Sequence, residues 1–183
     1  NNKEKKVKSI SINGKEFEEY LDEHVIAVRI AEMAQELESM YHDAIPVFLI
    51  VLNGASFFAI DLIKNYSKPC QVAFIQLSSY AGTTSTMEVK VMSEISISLA
   101  GRHVIILEDI IDTGLTLKVL TDKIKSLDVV TTSVVTLLDK PSRRIKETEV
   151  AISGFTIPDI FVVGYGLDYD ELGRNSKNIF AEK

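Results

Sequence analysis

Residues 104–116 read Val104-Ile105-Ile106-Leu107-Glu108-Asp109-Ile110-Ile111-Asp112-Thr113-Gly114-Leu115-Thr116. The apolar run that opens it is too short for a helix and reads as a strand buried on both faces. Two adjacent acids at its end are expensive to bury unless they meet solvent, a cation or a polyol. Asp112-Thr113-Gly114-Leu115-Thr116 then leads into the helical period of Leu115 to Ser126. Hydroxyls, a flexible glycine and unpaired backbone N–H groups at a helix start make a cradle for phosphate, aided by the positive end of the helix dipole. Acids suited to sugar hydroxyls or a metal, beside donors suited to phosphate, point to a phosphorylated sugar. An ordinary loop explains a bare Asp-Thr-Gly-x-Thr, but not the whole run behind a buried strand.

Outward from this run, strands and helices alternate. Val47 to Leu52 is another continuous apolar run opened by Pro46, followed by helical Ala55 to Lys64 and a β-rich run from Gln71 to Leu77. Residues 16–41 space Phe17, Leu21, Val25, Val28, Met33, Leu37 and Met40 at helical intervals, which predicts one long amphipathic helix. Ser78 to Thr86 has no apolar period and reads as a polar loop, with Met87–Met92 and Ser93–Leu99 pairing beyond it as a hairpin-like excursion. Val129 to Leu138 is a long β-branched strand, Val150 to Ile152 a weaker one and Phe161 to Val163 a last short one. Such alternation predicts a mostly parallel α/β sheet with right-handed crossovers. Ligands then bind beyond the carboxyl ends of the strands, just after Leu52, Leu77, Leu107, Leu138 and Val163.

The chain has 183 residues, 46% apolar and 25% charged, which suits one globular domain over residues 1–183 and excludes general disorder. A net charge of −6 speaks against a nucleic-acid partner held through phosphates. The early lysines Lys3, Lys5, Lys6 and Lys8 read as a solvated arm or edge strand. One cysteine, Cys70, cannot form an internal disulfide, so a reducing, cytoplasmic setting is expected. Residues 1–6 are polar and lack a signal-peptide core. Asn53, Gly54, Ser56 and Asp61 interrupt the most apolar stretch, short of the roughly 20 apolar residues of a bilayer span, so no membrane role is expected. His24, His42 and His103 are scattered without metal-ligand spacing, and neither a GxxxxGK[ST] loop nor a complete dinucleotide fingerprint is present.

The run 104–116 resembles the signature of the phosphoribosyltransferases for 5-phosphoribosyl-1-pyrophosphate. From about residue 10 onward the chain is most similar to the hypoxanthine(-guanine) phosphoribosyltransferases. That likeness is carried by Val51-Leu52-Asn53-Gly54-Ala55, Ser78-Ser79-Tyr80 with the loop to Lys90, Leu137-Leu138-Asp139-Lys140, Ile157-Pro158-Asp159 and Phe161 through Tyr169 to Arg174-Asn175. It implies the type I fold: a mostly parallel twisted sheet flanked by helices, with a small hood formed by the terminal segments. It further implies that Glu108 and Asp109 hold the ribose hydroxyls, partly through Mg²⁺, and that Asp112 is the general base at purine N7. Thr113, Gly114, Leu115 and Thr116 would wrap the 5-phosphate. Lys140 would donate to O6, Phe161 would stack on the ring, and the Val162 main chain would read the pyrimidine edge. Asp168 would reach a second Mg²⁺, and Asn53, Gly54, Ser79, Tyr80 and Arg174 would meet pyrophosphate. Homodimers and homotetramers both occur in the family. Asn53 stands where many relatives carry Lys or Arg, and Met87 where glycine is frequent. The family often has a non-proline cis peptide that corresponds to Leu52–Asn53.

Chemistry supports these assignments residue by residue. Lys140 has only donors, so a 6-oxo group satisfies it and the amino group of adenine does not. Base–aromatic stacking binds purines without sorting them. An activated sugar is lost if water shares the site, so the polar loop 78–86 is expected to close as a lid, with Ser79 and Tyr80 meeting the pyrophosphate. A non-catalytic, sugar-pyrophosphate-sensing regulator of the same fold would keep 108–116 but need a basic face or a DNA-binding module. A phosphoacceptor receiver domain would carry its acids near the N-terminus rather than at 108 and 109.

Overall fold

The structure is a computed structural model, and it describes residues 8–81 and 87–183. Its main sheet has the order β5-β4-β3-β6-β7-β8, formed by β3 (Val47–Leu52), β4 (Gln71–Ala81), β5 (Met87–Val91), β6 (His103–Ile111), β7 (Thr131–Asp139) and β8 (Ile152–Thr156). All neighbours pair in parallel except the β4–β5 hairpin. From β3 the chain winds out to β4 and β5, then returns to lay β6 on the other side of β3. The switch point therefore lies between the ends of β3 and β6, where an open α/β sheet leaves a crevice for ligand.

The strands are apolar on both sides because both sides are covered. Phe48, Ile50, Ile105, Leu107, Val135 and Leu137 face helices α1 (Glu23–Met40) and α2 (Ser56–Asn65), meeting Ile26, Ile30, Met33, Leu37, Phe58 and Leu62. Val47, Leu49, Val104, Ile106 and Val134 face helix α3 (Leu115–Lys125) through Leu117, Leu120 and Ile124. At about 25 cal/mol per Å² of apolar surface removed from water, these two layers are the main favourable contribution to folding. A second sheet, β1-β2-β10-β9, gathers β1 (Ser9–Ile12), β2 (Lys15–Leu21), β9 (Val162–Val163) and β10 (Ile179–Glu182) around Ile12, Phe17, Val163 and Phe180. This is the expected hood of terminal segments.

Three elements differ from the sequence reading. Residues 16–41 are not one helix: β2 ends at Leu21 and α1 starts after Asp22, whose carboxylate accepts from the His24 and Val25 N–H groups. Phe17 and Leu21 fit helical spacing, but β2 is held between β1 and β10, and β10 comes from the far end of the chain. No local window shows that partner. Ser78–Ala81 continue β4 instead of starting a loop, because β5 supplies a ladder for them. Ser93–Leu99 forms no strand; it is an irregular segment whose Ile95, Ile97 and Leu99 pack into the α3-side layer. Residues 82–86 of the expected lid and the lysines at 3, 5 and 6 lie outside the described residues.

Candidate active site

The crevice at the switch point is closed at short range by two backbones and a carboxylate. Gly54 follows a cis Leu52–Asn53 peptide, as the family pattern implied, and a Cβ on Gly54 would overlap the Asp109 carboxylate. Gly166 (φ +97°) lies on the other side, where a Cβ would overlap the Gly54 carbonyl oxygen. Glycine is required at both positions so that the β3 loop, the acids of β6 and the 164–168 turn can touch. Gly166 had no role in the sequence reading, and the closely spaced pair Gly164 and Gly166 was the available signal.

Glu108 and Asp109 are half-buried at the end of β6. Glu108 Oε1 accepts from the Asp109 N–H at 3.1 Å, and Asp109 Oδ1 from the Ile110 N–H at 2.7 Å. Burial pushes the Glu108 carboxyl well above the usual range, and the neighbouring Asp109 charge pushes the same way. Burial also raises Asp109, opposed by its hydrogen bonds and by the Arg174 guanidinium. A desolvated acid pair of this kind is poised to receive hydroxyl donors or a cation.

Asp112 is exposed at the start of the next loop, its Oδ1 accepting from Arg143 Nε at 3.0 Å. Gly114 takes φ +78° at the N-cap of α3 and offers no side-chain oxygen, leaving the first turn of the helix without a capping acceptor. Among the described residues, only Thr113 Oγ1 bonds to it, 3.4 Å from the Leu115 N–H. Glu108, Asp112, Thr113, Gly114 and Thr116 line one cavity of about 190 Å³. Behind the loop, the Ile145 and Lys146 N–H groups both donate to the Thr113 carbonyl, at 2.9 and 3.1 Å. The Lys146 carbonyl would stand 2.6 Å from a Cβ on Gly114. Arg144 lies beside it, paired with Asp139, and its Nη1 is buried with no hydrogen-bond partner among the described residues.

One strand over, Lys140 follows β7, with its N–H donating to the Ile111 carbonyl at 2.9 Å. Its side chain is 6% exposed and makes no hydrogen bond or ion pair among the described residues. Phe161 sits at the hood, edge-on to Tyr169 at 5.8 Å and 42% exposed, so ring surface is open for stacking. Val162 is buried in β9, paired with Ala181. Asp168 is not gathered with Glu108 and Asp109 into a cluster of three acids. Instead its Oδ1 pairs with Arg174 Nη2 at 3.1 Å and its Oδ2 accepts from the Glu171 N–H at 2.9 Å. Arg174 Nη1 donates to the Gly166 carbonyl at 2.7 Å, which ties this pair to the Gly54–Asp109 contact. The backbones of Ser79 and Tyr80 pair with Val89 and Glu88 in the hairpin, while the side-chain roles expected of them lie outside the described residues.

Residues 16–170 match the family model described as the phosphoribosyl transferase domain. The chain belongs to the phosphoribosyltransferase family. Among relatives of this phosphoribosyltransferase, the hypoxanthine-guanine phosphoribosyltransferase of Bacillus subtilis (strain 168) is 42% identical over 156 residues, covering 85% of this chain and 87% of that one. The protein of the same name from Staphylococcus aureus (strain N315) is 43% identical over 145 residues, covering 79% and 81%. The bifunctional protein TilS/HprT of Listeria monocytogenes is also 42% identical, but the match spans only 24% of its length. Among solved structures, a hypoxanthine phosphoribosyltransferase from Staphylococcus aureus superimposes with a TM-score of 0.87 at 39% identity, covering 90% of each chain. A hypoxanthine-guanine phosphoribosyltransferase from Bacillus anthracis gives 0.85 at 35% identity, covering 90% of this chain and 97% of that one.

Proposed function

We propose that this phosphoribosyltransferase serves purine salvage, moving the 5-phosphoribosyl group from phosphoribosyl pyrophosphate to N9 of a 6-oxopurine. Hypoxanthine gives IMP, guanine gives GMP, and pyrophosphate leaves. The observation that carries this reading is Lys140, a residue only 6% exposed whose ammonium has no partner among the described residues, one strand from a phosphate cradle and a pair of desolvated acids. A cation on a largely buried stem, with no partner among the described residues, is open to an acceptor from a ligand, and O6 of the base is such an acceptor.

The 5-phosphate sits on the Thr113–Thr116 backbone and hydroxyls at the start of α3. Glu108 and Asp109 accept from the ribose hydroxyls. The purine stacks on Phe161, with the Val162 main chain at its pyrimidine edge. Asn53, Gly54, Arg174, Ser79 and Tyr80 take the pyrophosphate. As the bond from C1′ to the pyrophosphate oxygen breaks, N9 forms its bond to C1′ and Asp112 takes the proton from N7. The transition state has oxocarbenium character, as in glycoside cleavage. The Arg174 guanidinium faces the charge that gathers on the leaving group.

The oxygen donors present suit Mg²⁺, which binds one or two carboxylates together with substrate phosphate and water. Glu108 and Asp109 would hold one ion and Asp168 a second. When bound, the metal supplies charge neutralisation between an acidic site and a polyphosphorylated substrate. A homodimer or homotetramer is the proposed assembly. It is supported by exposed Phe57 and Ile60 on α2 and exposed Val72 and Phe74 on β4, whose register with Phe48 and Ile50 puts them on the α2 side of the sheet. A cytoplasmic location is supported by the single thiol of Cys70; among the described residues no helix is long and apolar enough to cross a membrane.

The test is initial-rate turnover on hypoxanthine, guanine, xanthine and adenine with phosphoribosyl pyrophosphate and Mg²⁺. Preference for the oxopurines is expected. Adenine as the best substrate would remove Lys140 from base recognition.

A further inference from the structure

The proposed general base is not free in the structure, and the group that holds it was not singled out in the sequence. Asp112 presents two carboxylate oxygens; Oδ1 accepts from Arg143 Nε at 3.0 Å, and no described residue bonds to Oδ2. The same Nε lies 3.7 Å from Asp159 Oδ1, two residues before the ring of Phe161. Arg143 ends the single 3-10 turn Pro141–Arg143 that follows Lys140, and the Arg143 N–H donates back to the Lys140 carbonyl at 3.1 Å. One guanidinium thus joins the loop carrying the base, the turn carrying the O6 donor and the segment entering the stacking residue. Ile145 and Lys146, two and three residues further on, fasten the same segment to the phosphate loop through the Thr113 carbonyl.

We propose that Arg143 is a positioning residue for Asp112, fixing Oδ1 so that Oδ2 faces the purine. A base oriented by a third group recurs in nucleophile–base–orienter triads, where the orienter fixes the geometry of proton transfer. Asp112 and Arg143 are both exposed, so the pair adds little to stability. Its effect is on where the carboxylate points. An unrestrained Asp side chain samples several rotamers, and loss of alignment lowers the rate of the proton-transfer step without weakening the grip on the sugar.

This inference rests on Asp112 being the base, and the experiment separates the two. Single-turnover rates and KM for phosphoribosyl pyrophosphate are measured for R143Q, D112N and the double variant, with thermal melts alongside. R143Q is expected to slow the chemical step about tenfold with KM and melting temperature unchanged, the scale of one charge-assisted hydrogen bond. In the D112N background, R143Q should cause no further loss, because the amide has no base function left to position. Losses that multiply, or a wild-type rate in R143Q, would overturn the positioning role. A wild-type rate in D112N would instead overturn the assignment of Asp112 as base. R143K keeps the charge without the Nε geometry and is expected to fall between wild type and R143Q. It carries the same cycle should R143Q fail to fold, with a wild-type rate in R143K then counting against the role.

Discussion

Replacing Lys140 with Met tests base recognition at its physical root. The side chain is 6% exposed and has no acceptor among the described residues, so the free protein loses no internal hydrogen bond on substitution. Met keeps most of the volume and the packing of the stem and breaks no ion pair, which predicts a nearly unchanged melting temperature. With hypoxanthine bound, by contrast, K140M leaves O6 desolvated and unpaired. A hydrogen bond from a charged donor is worth about 1.5–3 kcal/mol, so kcat/KM for hypoxanthine should fall roughly 10- to 150-fold. Adenine, whose 6-amino group meets only donors in the wild type, should lose far less or gain. The assay is steady-state kcat/KM for both bases, with a thermal melt on each protein. An unchanged ratio of hypoxanthine to adenine would refute the reasoning, as would a sharp loss of stability, which would mean that Lys140 serves the fold.

Further expectations follow from the same geometry. D109N should raise the melting temperature of the unliganded protein while abolishing sugar binding, since it removes one of two adjacent desolvated charges; for a chain of this size each kcal/mol gained appears as about 2–4 °C. The sign with pH is fixed by the direction of the shifts. Burial raises both carboxyls in the fold, so the folded state holds more protons than the unfolded one. Stability from this pair is present at low pH and is lost as pH rises through the raised values, and D109N should flatten that slope in melts across pH. G114A must hold φ +78° and meet the Lys146 carbonyl at 2.6 Å. A loss of about 1–3 kcal/mol is expected by chemical denaturation, with a raised KM for phosphoribosyl pyrophosphate and little change for the base. D22A removes the cap of α1, which should reduce stability by about 0.5–2 kcal/mol in denaturant titrations and leave turnover unchanged.

What could be read directly from the residues was what is contiguous along the chain. β6, its two acids and the uncapped start of α3 form one uninterrupted run, and strand, loop and helix each announce themselves by local pattern. Lys140 could be placed because it directly follows a β-branched strand. The misread elements depend on distant partners. β2 looked helical because the strand that fixes it, β10, lies near the other end of the chain. Arg143 and Arg144 follow Lys140 by three and four residues. Arg144 pairs with Asp139 only five residues back, but Arg143 meets Asp112 only after β6 and β7 are paired, with Ile111 opposite Asp139. Asp168 had the right neighbourhood but an unforeseen partner: Arg174 reaches across the turn to pair with it.

The fold itself changes how the acidity of this chain is understood. A net charge of −6 counts against phosphate ligands when spread over a surface. Here Asp112 and Asp168 each meet a guanidinium, from Arg143 and Arg174, while Glu108 and Asp109 accept from backbone N–H groups.

The central claim is transfer, not mere binding, and a single stoichiometric measurement tests it. The protein is incubated with hypoxanthine, phosphoribosyl pyrophosphate and Mg²⁺, and nucleotide formed and pyrophosphate released are followed together. One IMP for each pyrophosphate, over many turnovers, is the predicted result. Tight binding of the sugar pyrophosphate with neither product formed would contradict it and would favour the sensing regulator of the same fold.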